Sequence, residues 1–300
     1  MNVQIEDIKS VVENAFDFNV EKLPLSAPDN IRTPYYGLFR DDNAECVGNS
    51  SVSSRYHPHT TDDVLSLVEA ASEAFEGEVN LQCHFNNGHY VAVAPTNEHR
   101  IKVYGEKDTV FPQVIISAGF DGRAFTATMG YYRDLCDNLA MLESVKETSV
   151  KIRHTKSLRP KMNDLIQTFD NLKNGWNNLT ETIEHLQNRE VQLADFLIDV
   201  YGVPETTVDE FGRTIDKKRS ATIHRNRVEA IFKRVTRERW QSGRPAMNGF
   251  VVSAWEAYNA IQGFTQHDAS RKGNATSFDR ILLASRDKNV KMAESLLLAV

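Results

Sequence analysis

Cysteine is scarce in this chain: three in 300 residues, Cys46, Cys83 and Cys136, odd in number and far apart. That argues against a disulfide framework and a zinc ribbon, and fits a reducing cytoplasm. No window holds eighteen consecutive apolar residues, so no membrane span is expected. The opening stretch MNVQIEDIKSVVENAF is acidic and amphipathic and lacks the basic start and apolar run of a secretory signal. Without such a signal, the N-x-[ST] matches at Asn49, Asn178 and Asn274 carry no weight. Also missing are a Walker loop, a GxGxxG after a strand, a GxSxG elbow and an HExxH pair, so no standard catalytic or phosphate-cradling motif is indicated and no cofactor is expected.

What is present is ordinary globular material, 41% hydrophobic and 25% charged, enough for a sizeable core. The net charge of −6 hides an asymmetry. Residues 1–110 hold eight Lys/Arg against eighteen Asp/Glu, whereas residues 213–240 hold ten against three. A basic segment inside an acidic protein points to a polyanion or to an acidic surface of another subunit.

The pattern along the chain reads as α+β: a mostly antiparallel sheet of hairpins with packed helices over 1–150, then a helical half over 151–300. Residues 5–16 form an amphipathic helix, and Thr33–Arg40 and Glu45–Gly48 form strands around an Asp41-Asp42-Asn43 turn. Thr60, Thr61 and Asp62 supply cap chemistry for a helix to about Phe75. Asn86-Asn87-Gly88 and Asp121-Gly122 mark two hairpins, over 79–94 and 113–129, because these residues tolerate positive φ. A helix is expected from Tyr131 to about Glu147. From Met162 to Val200 apolar residues recur in heptads, interrupted at Glu190 and weakened at Gly175. That reads either as long helices packing within their own domain or as a subunit interface. Gly202-Val203-Pro204 ends it, Glu205–Lys218 reads as a polar loop, and helices follow near 221–240, 250–264 and 278–299.

On a wheel of residues 221–240, Val228, Ile231, Phe232 and Val235 share one side, with Arg227, Lys233, Arg234 and Arg237 opposite. Arg225 and Arg239 lie nearer the apolar edge, and Lys217, Lys218 and Arg219 precede the helix. One face packs while the other presents cations, as a phosphate-tracking surface requires. A solvated face has the same signature. A second basic run, 146–161, includes Lys151, Arg153 and His154. His57-Pro58-His59 with Asp62 and Asp63 has metal-ligating residue types but loop spacing and no evident third ligand, so no metal site is expected. Cys136 with His154 would make a nucleophile and base, but a small buried cysteine is the plainer reading. Tyr35, Tyr36, Phe39, Tyr56, Tyr131, Tyr132, Trp255 and Tyr258 would stack on bases only if exposed.

Several short motifs occur in a set order: Arg55-Tyr56, Arg133-x-x-Cys136-x-Asn138, Arg153-His154-Thr155, then Ala254-Trp255-x-Ala257-x-Asn259-Ala260 and His267. In these the chain resembles the phage/plasmid-like protein family catalogued as a domain of unknown function (number 932), over roughly 30–285. Leu139 stands where the family pattern has Gly or Thr, and 203–220 is extra sequence. The resemblance implies a phage or mobile-element origin and no established activity.

The leading expectation is a homo-oligomeric protein that binds nucleic acid, above all single-stranded DNA, with strand annealing or recombination as its setting. Its contacts would be Lys217, Lys218, Arg219, Arg225, Arg227, Lys233, Arg234 and Arg237, with Lys151, Arg153 and His154 as a second patch. The alternative is an assembly or host-takeover protein without nucleic-acid activity, in which the basic helix pairs with a neighbour's carboxylates. An enzyme built on Arg133, Cys136, Asn138 and His154 comes third.

Overall fold

The computed structural model describes residues 2–4, 7–75, 78–96, 100–120, 122, 124–140, 149–154, 169–269, 280, 284 and 287–298. Along the chain, the strands are β1 (Asn2–Val3), β2 (Val20–Ala27), β3 (Ile31–Arg40), β4 (Cys46–Val52), β5 (Val79–Phe85), β6 (Gly88–Pro95), β7 (Ile101–Lys102), β8 (Thr109–Gly119), β9 (Phe125–Arg133), β10 (Asn138–Ala140), β11 (Ser149–Ile152), β12 (Glu190–Gln192), β13 (Thr206–Val208), β14 (Thr214–Asp216) and β15 (Val251–Ser253). The helices are α1 (Ile8–Ala15), α2 (Thr61–Phe75), α3 (Phe169–Asn188), α4 (Leu193–Tyr201), α5 (Lys218–Gln241), α6 (Ala254–Gly263) and α7 (Lys288–Leu298). The class is α+β. No described helix is long and apolar enough to cross a membrane.

Two compact units result, each discontinuous in sequence. The first holds Met1–Arg100, Phe111–Tyr131 and Val145–Leu179; the second holds Ile101–Val110, Tyr132–Ser144 and Thr180–Val300.

In the first unit β5, β6 and β8 pair in antiparallel order, and β11 joins β9. The Asn-Gly turn forms, with Asn87 in the left-handed region (φ 50°); at the second hairpin β8 pairs β9 and Gly122 is left-handed (φ 83°), while Asp121 and Arg123 lie outside the described residues. Gly88 faces Gly119 across the β6–β8 pair, where a Cβ would sit 2.6 Å from the Ala118 carbonyl oxygen. Strands β2, β3 and β4 make a separate sheet. Helix α2 starts where its cap chemistry dictates: the Thr60 N–H donates to the Asp63 carboxylate at 2.8 Å, and the Asp63 N–H to Thr60 Oγ1 at 3.2 Å. Its Val64, Leu67, Val68 and Phe75 are buried, each contributing about 1.5–3 kcal/mol relative to exposure.

The expectation of a helix from Tyr131 is wrong. Residues 131–133 end β9, residues 134–137 turn with Asp137 at φ 53°, and β10 follows; residues 141–148 lie outside the described set. Tyr131 and Arg133 alternate inward with Tyr132 between them, the period of a strand. The inward arginine broke the apolar pattern, and that pattern was what a reading of periodicity relied on.

The heptad seam is likewise divided. Met162–Thr168 lie outside the described residues; beyond them Leu179, Ile183 and Leu186 are buried on α3, and Leu193, Leu197 and Val200 on α4. Between the two helices, at the polar interruption, Glu190–Gln192 leaves the helix and pairs as β12 with β15. The expected polar loop at 205–218 contains the short β13–β14 hairpin, whose six paired residues are all exposed.

Candidate nucleic-acid interface

Helix α5 is 24 residues, about 36 Å long. At 100° per residue, Lys218, Arg219, Arg225, Lys233, Arg237 and Trp240 fall within about 120° of arc, and all six are exposed. Thr222, Asn226 and Thr236 fill the same stripe, with Glu229 the one carboxylate among them. Lys233 Nζ lies 2.6 Å from Glu229, whose carboxyl its hydrogen bond holds below the usual range. At the helix entrance Lys217 is exposed and pairs with Glu205 at 2.8 Å.

Two of the expected contacts are not on this stripe. Arg227 is half-buried, its guanidinium 4.4 Å from the centre of the Tyr201 ring. Arg234 is buried at 4% exposure, hydrogen-bonded to Asp268 at 2.8 and 3.0 Å and 3.6 Å from Glu238. The buried arc holds Ile231, Arg234, Val235 and Glu238, turned by about 60° from the purely apolar arc. A wheel scored on hydrophobicity places every arginine outside; paired charges can go in. Arg239 also turns inward, 3.4 Å from Glu256.

The second expected patch lies in the first unit. Lys151 and Arg153 are exposed at and just beyond β11, whereas His154 is buried and stacks on Tyr56 at 5.1 Å. It joins a core of imidazoles and rings. His59 Nε2 and His89 Nδ1 share a 2.8 Å hydrogen bond, and His59 stacks on Phe120 at 4.3 Å. Burial drives His59 well below its usual pKa and His89 down to about 3, so both are neutral near pH 7. Among the described residues, no group of three or more His, Cys, Asp or Glu is placed to hold a metal ion.

The end of the stripe carries a feature that sequence reasoning passed over. Trp240, 79% exposed, lines a shallow groove with Phe232, Lys233, Thr236, Arg237 and Glu229. The Phe250 ring, 57% exposed, stands edge-on to Phe232 at 5.3 Å. Phe250 follows Gly249 in a tight turn in which both residues are left-handed, at φ 63° and 58°. The Val251 N–H closes the turn on the Asn248 carbonyl at 3.1 Å, and the Leu193 N–H holds the Phe250 carbonyl at 3.0 Å. Of the aromatics expected as stacking candidates, Tyr35 is exposed; Tyr56, Tyr131, Trp255 and Tyr258 are core. Trp240 was legible as the aromatic one turn beyond Arg237.

Elsewhere in the second unit the motif residues form its interior. Arg133, 2% exposed, donates to both Asp108 oxygens at 2.7 and 2.6 Å and to Glu238 at 2.6 Å. Asn138 donates to the Asn259 carbonyl at 2.9 Å, and the Leu139 carbonyl accepts from Gln262 and Gln266 at 3.0 and 2.6 Å. Burial pushes the Cys136 thiol up to about 12, against the pull of Arg133, which disfavours the nucleophilic thiolate. Arg133 and the Asn138 amide N–H are thus engaged in bonds that tie the interior together.

The family model described as Domain of unknown function (DUF932) matches residues 49–297. The chain belongs to this family. No curated protein and no solved structure matches it. The DUF932 region includes the motif interior, all of α5 and the Trp240 groove, and it also spans the β13–β14 hairpin.

Proposed function

We propose that the chain binds nucleic acid, tracking phosphates along the exposed stripe of α5. The observation that carries the reading is the alignment of Lys218, Arg219, Arg225, Lys233 and Arg237 on one solvent face of a single straight element. A row of cations neutralises successive phosphates and releases counterions without reading sequence. The same proposal extends to single-stranded DNA as substrate, to strand annealing in phage or mobile-element recombination, and to the host cytoplasm as its place.

A salt titration of DNA binding tests it. Affinity is expected to fall linearly on a log–log plot, and each cation removed is expected to reduce the slope by about 0.7–0.9. The variant to use is Arg225→Glu/Lys233→Glu/Arg237→Glu. Arg234 is left intact, because its reversal would place like charge beside Asp268 and Glu238. Wild-type binding by the triple variant overturns the proposal.

A second reading, assembly through protein contacts, is favoured by the β13–β14 arm. Phe211 at its tip is 72% exposed, with Val208 and Ile215 at 65% and 47%. Under that reading deletion of 206–216 lowers the sedimenting mass and DNA binding is absent.

A further inference from the structure

We propose that the groove at the end of the stripe is a nucleobase-stacking site, with Trp240 as its platform and Phe232, backed by the exposed Phe250 ring, as its wall. This rests on the reading of α5 as a phosphate-tracking surface and adds what such a surface lacks, a means of preferring unpaired bases.

Three observations converge. Trp240 exposes most of its indole while sitting in helical register with Arg237 and Lys233, so a base placed on the ring leaves its phosphate beside a guanidinium or an ammonium. The groove's one carboxylate, Glu229, is taken by Lys233, so the charge it offers a ligand is positive. Finally, Phe250 occupies a left-handed turn position that glycine fills without strain and a residue with a Cβ does not. Held there by the Leu193 N–H, the backbone directs an aromatic ring to the surface beside Phe232. A strained residue whose side chain is left outside the core marks a place where the side chain has an external use.

The chemistry selects the ligand. An apolar peptide would not need the flanking cations. Duplex DNA satisfies the cations but keeps its base faces stacked inside. A single strand offers both a phosphate row and open π-faces, and stacking is tolerant of sequence because every base has one. DNA and RNA share this chemistry.

The test compares short oligo(dT), oligo(U) and a blunt DNA duplex, binding to the full chain by anisotropy. Trp240→Ala is expected to weaken binding to both single strands by about 5- to 150-fold while leaving the duplex unchanged. Trp240→Phe should retain most of the affinity. Wild-type tryptophan emission should be quenched by oligo(dT), and that quenching should be lost in Trp240→Phe, in which buried Trp255 and half-buried Trp176 supply the remaining emission. Loss for one of the two single strands alone would keep the stack and assign the sugar. If Trp240→Ala binds single strands as wild type while Lys233→Glu/Arg237→Glu binds weakly, stacking is wrong and the stripe stands. If the charge-reversal variant also binds as wild type, both readings fall. Equal loss on single strands and duplex overturns the stacking role. So does a drop in sedimenting mass of Trp240→Ala without loss of oligo(dT) affinity, which would make the groove a contact between copies.

Discussion

In the first unit His59 and His89 share one hydrogen bond and are otherwise packed among the rings of Phe16, Phe18, Phe120 and Phe125, whereas in the second unit Arg133 is met by two carboxylates. Both interiors bury polar groups, by different means. The first keeps them neutral, so proton binding opposes the fold. The second keeps them charged and matched, so the loss of either partner opposes the fold. Among the described residues the outer nitrogens His59 Nδ1 and His89 Nε2 have no hydrogen-bond partner, while all the guanidinium nitrogens of Arg133 donate. Polar burial is therefore tolerated on two separate terms within one chain, and each is breakable by a different experiment.

The largest effect is expected at the charged interior. Arg133→Met leaves Asp108 buried without its cation and Glu238 with Arg234 alone at 3.6 Å, and urea midpoints should report a loss of about 3–5 kcal/mol. At the neutral interior the variable is pH. Both histidines have folded-state pKa values below the unfolded value near 6.5, so their stabilising contribution is present above that pH and is lost as pH falls below it. Each steepens the acid limb by about 1.4 kcal/mol per pH unit. Denaturation followed between pH 7 and 5 should show that slope, and His59→Phe/His89→Phe should flatten it; an unchanged slope would place the proton uptake elsewhere. Gly88→Ala sharpens the contrast by perturbing packing alone: its Cβ meets the Ala118 carbonyl, and a thermal melt should show about 1–3 kcal/mol lost without a pH signature. In the second unit Ser253 caps α6, accepting from the Glu256 N–H at 3.2 Å while Glu256 accepts from the Ser253 N–H at 3.0 Å. Ser253→Ala should cost about 1 kcal/mol. Smallest of all is Arg237→Met, three residues from buried Arg234, which should move stability by no more than about 0.5 kcal/mol.

The elements that the sequence made legible are those with local causes. The Asn-Gly turn, the left-handed Gly122, the Thr60–Asp63 cap and Gly202 at the end of α4 each act through the residues beside them, and all stand where expected. What was misread depends on partners distant in sequence. Arg133 lies inside because Asp108 and Glu238 wait there, Arg234 because Asp268 does, and Glu190 leaves the helix because Val251–Ser253 offers it a ladder. A hydrophobic pattern assigns all three to solvent. The exposed stripe was legible because a charge without a distant partner behaves as the wheel assumes. The place of Trp240 one turn beyond Arg237 could be read in the same way, but not its exposure, since that is decided by what fails to cover it.

The Arg133 ion cluster also has a direction in time. Asp108 and Arg133 leave the ribosome 25 residues apart and can pair at once, while Glu238 arrives 105 residues after Arg133. At about 5–20 residues per second that interval is of the order of 5–20 s. During it Arg133 has Asp108 as its carboxylate partner, and the bond from its other terminal nitrogen to Glu238 is still to come. A chain stopped before Glu238 lacks this bond together with α6 and α7, and is expected to be captured by chaperones or cleaved. The ion cluster is thus completed late, by a residue far along the chain from the two that meet first.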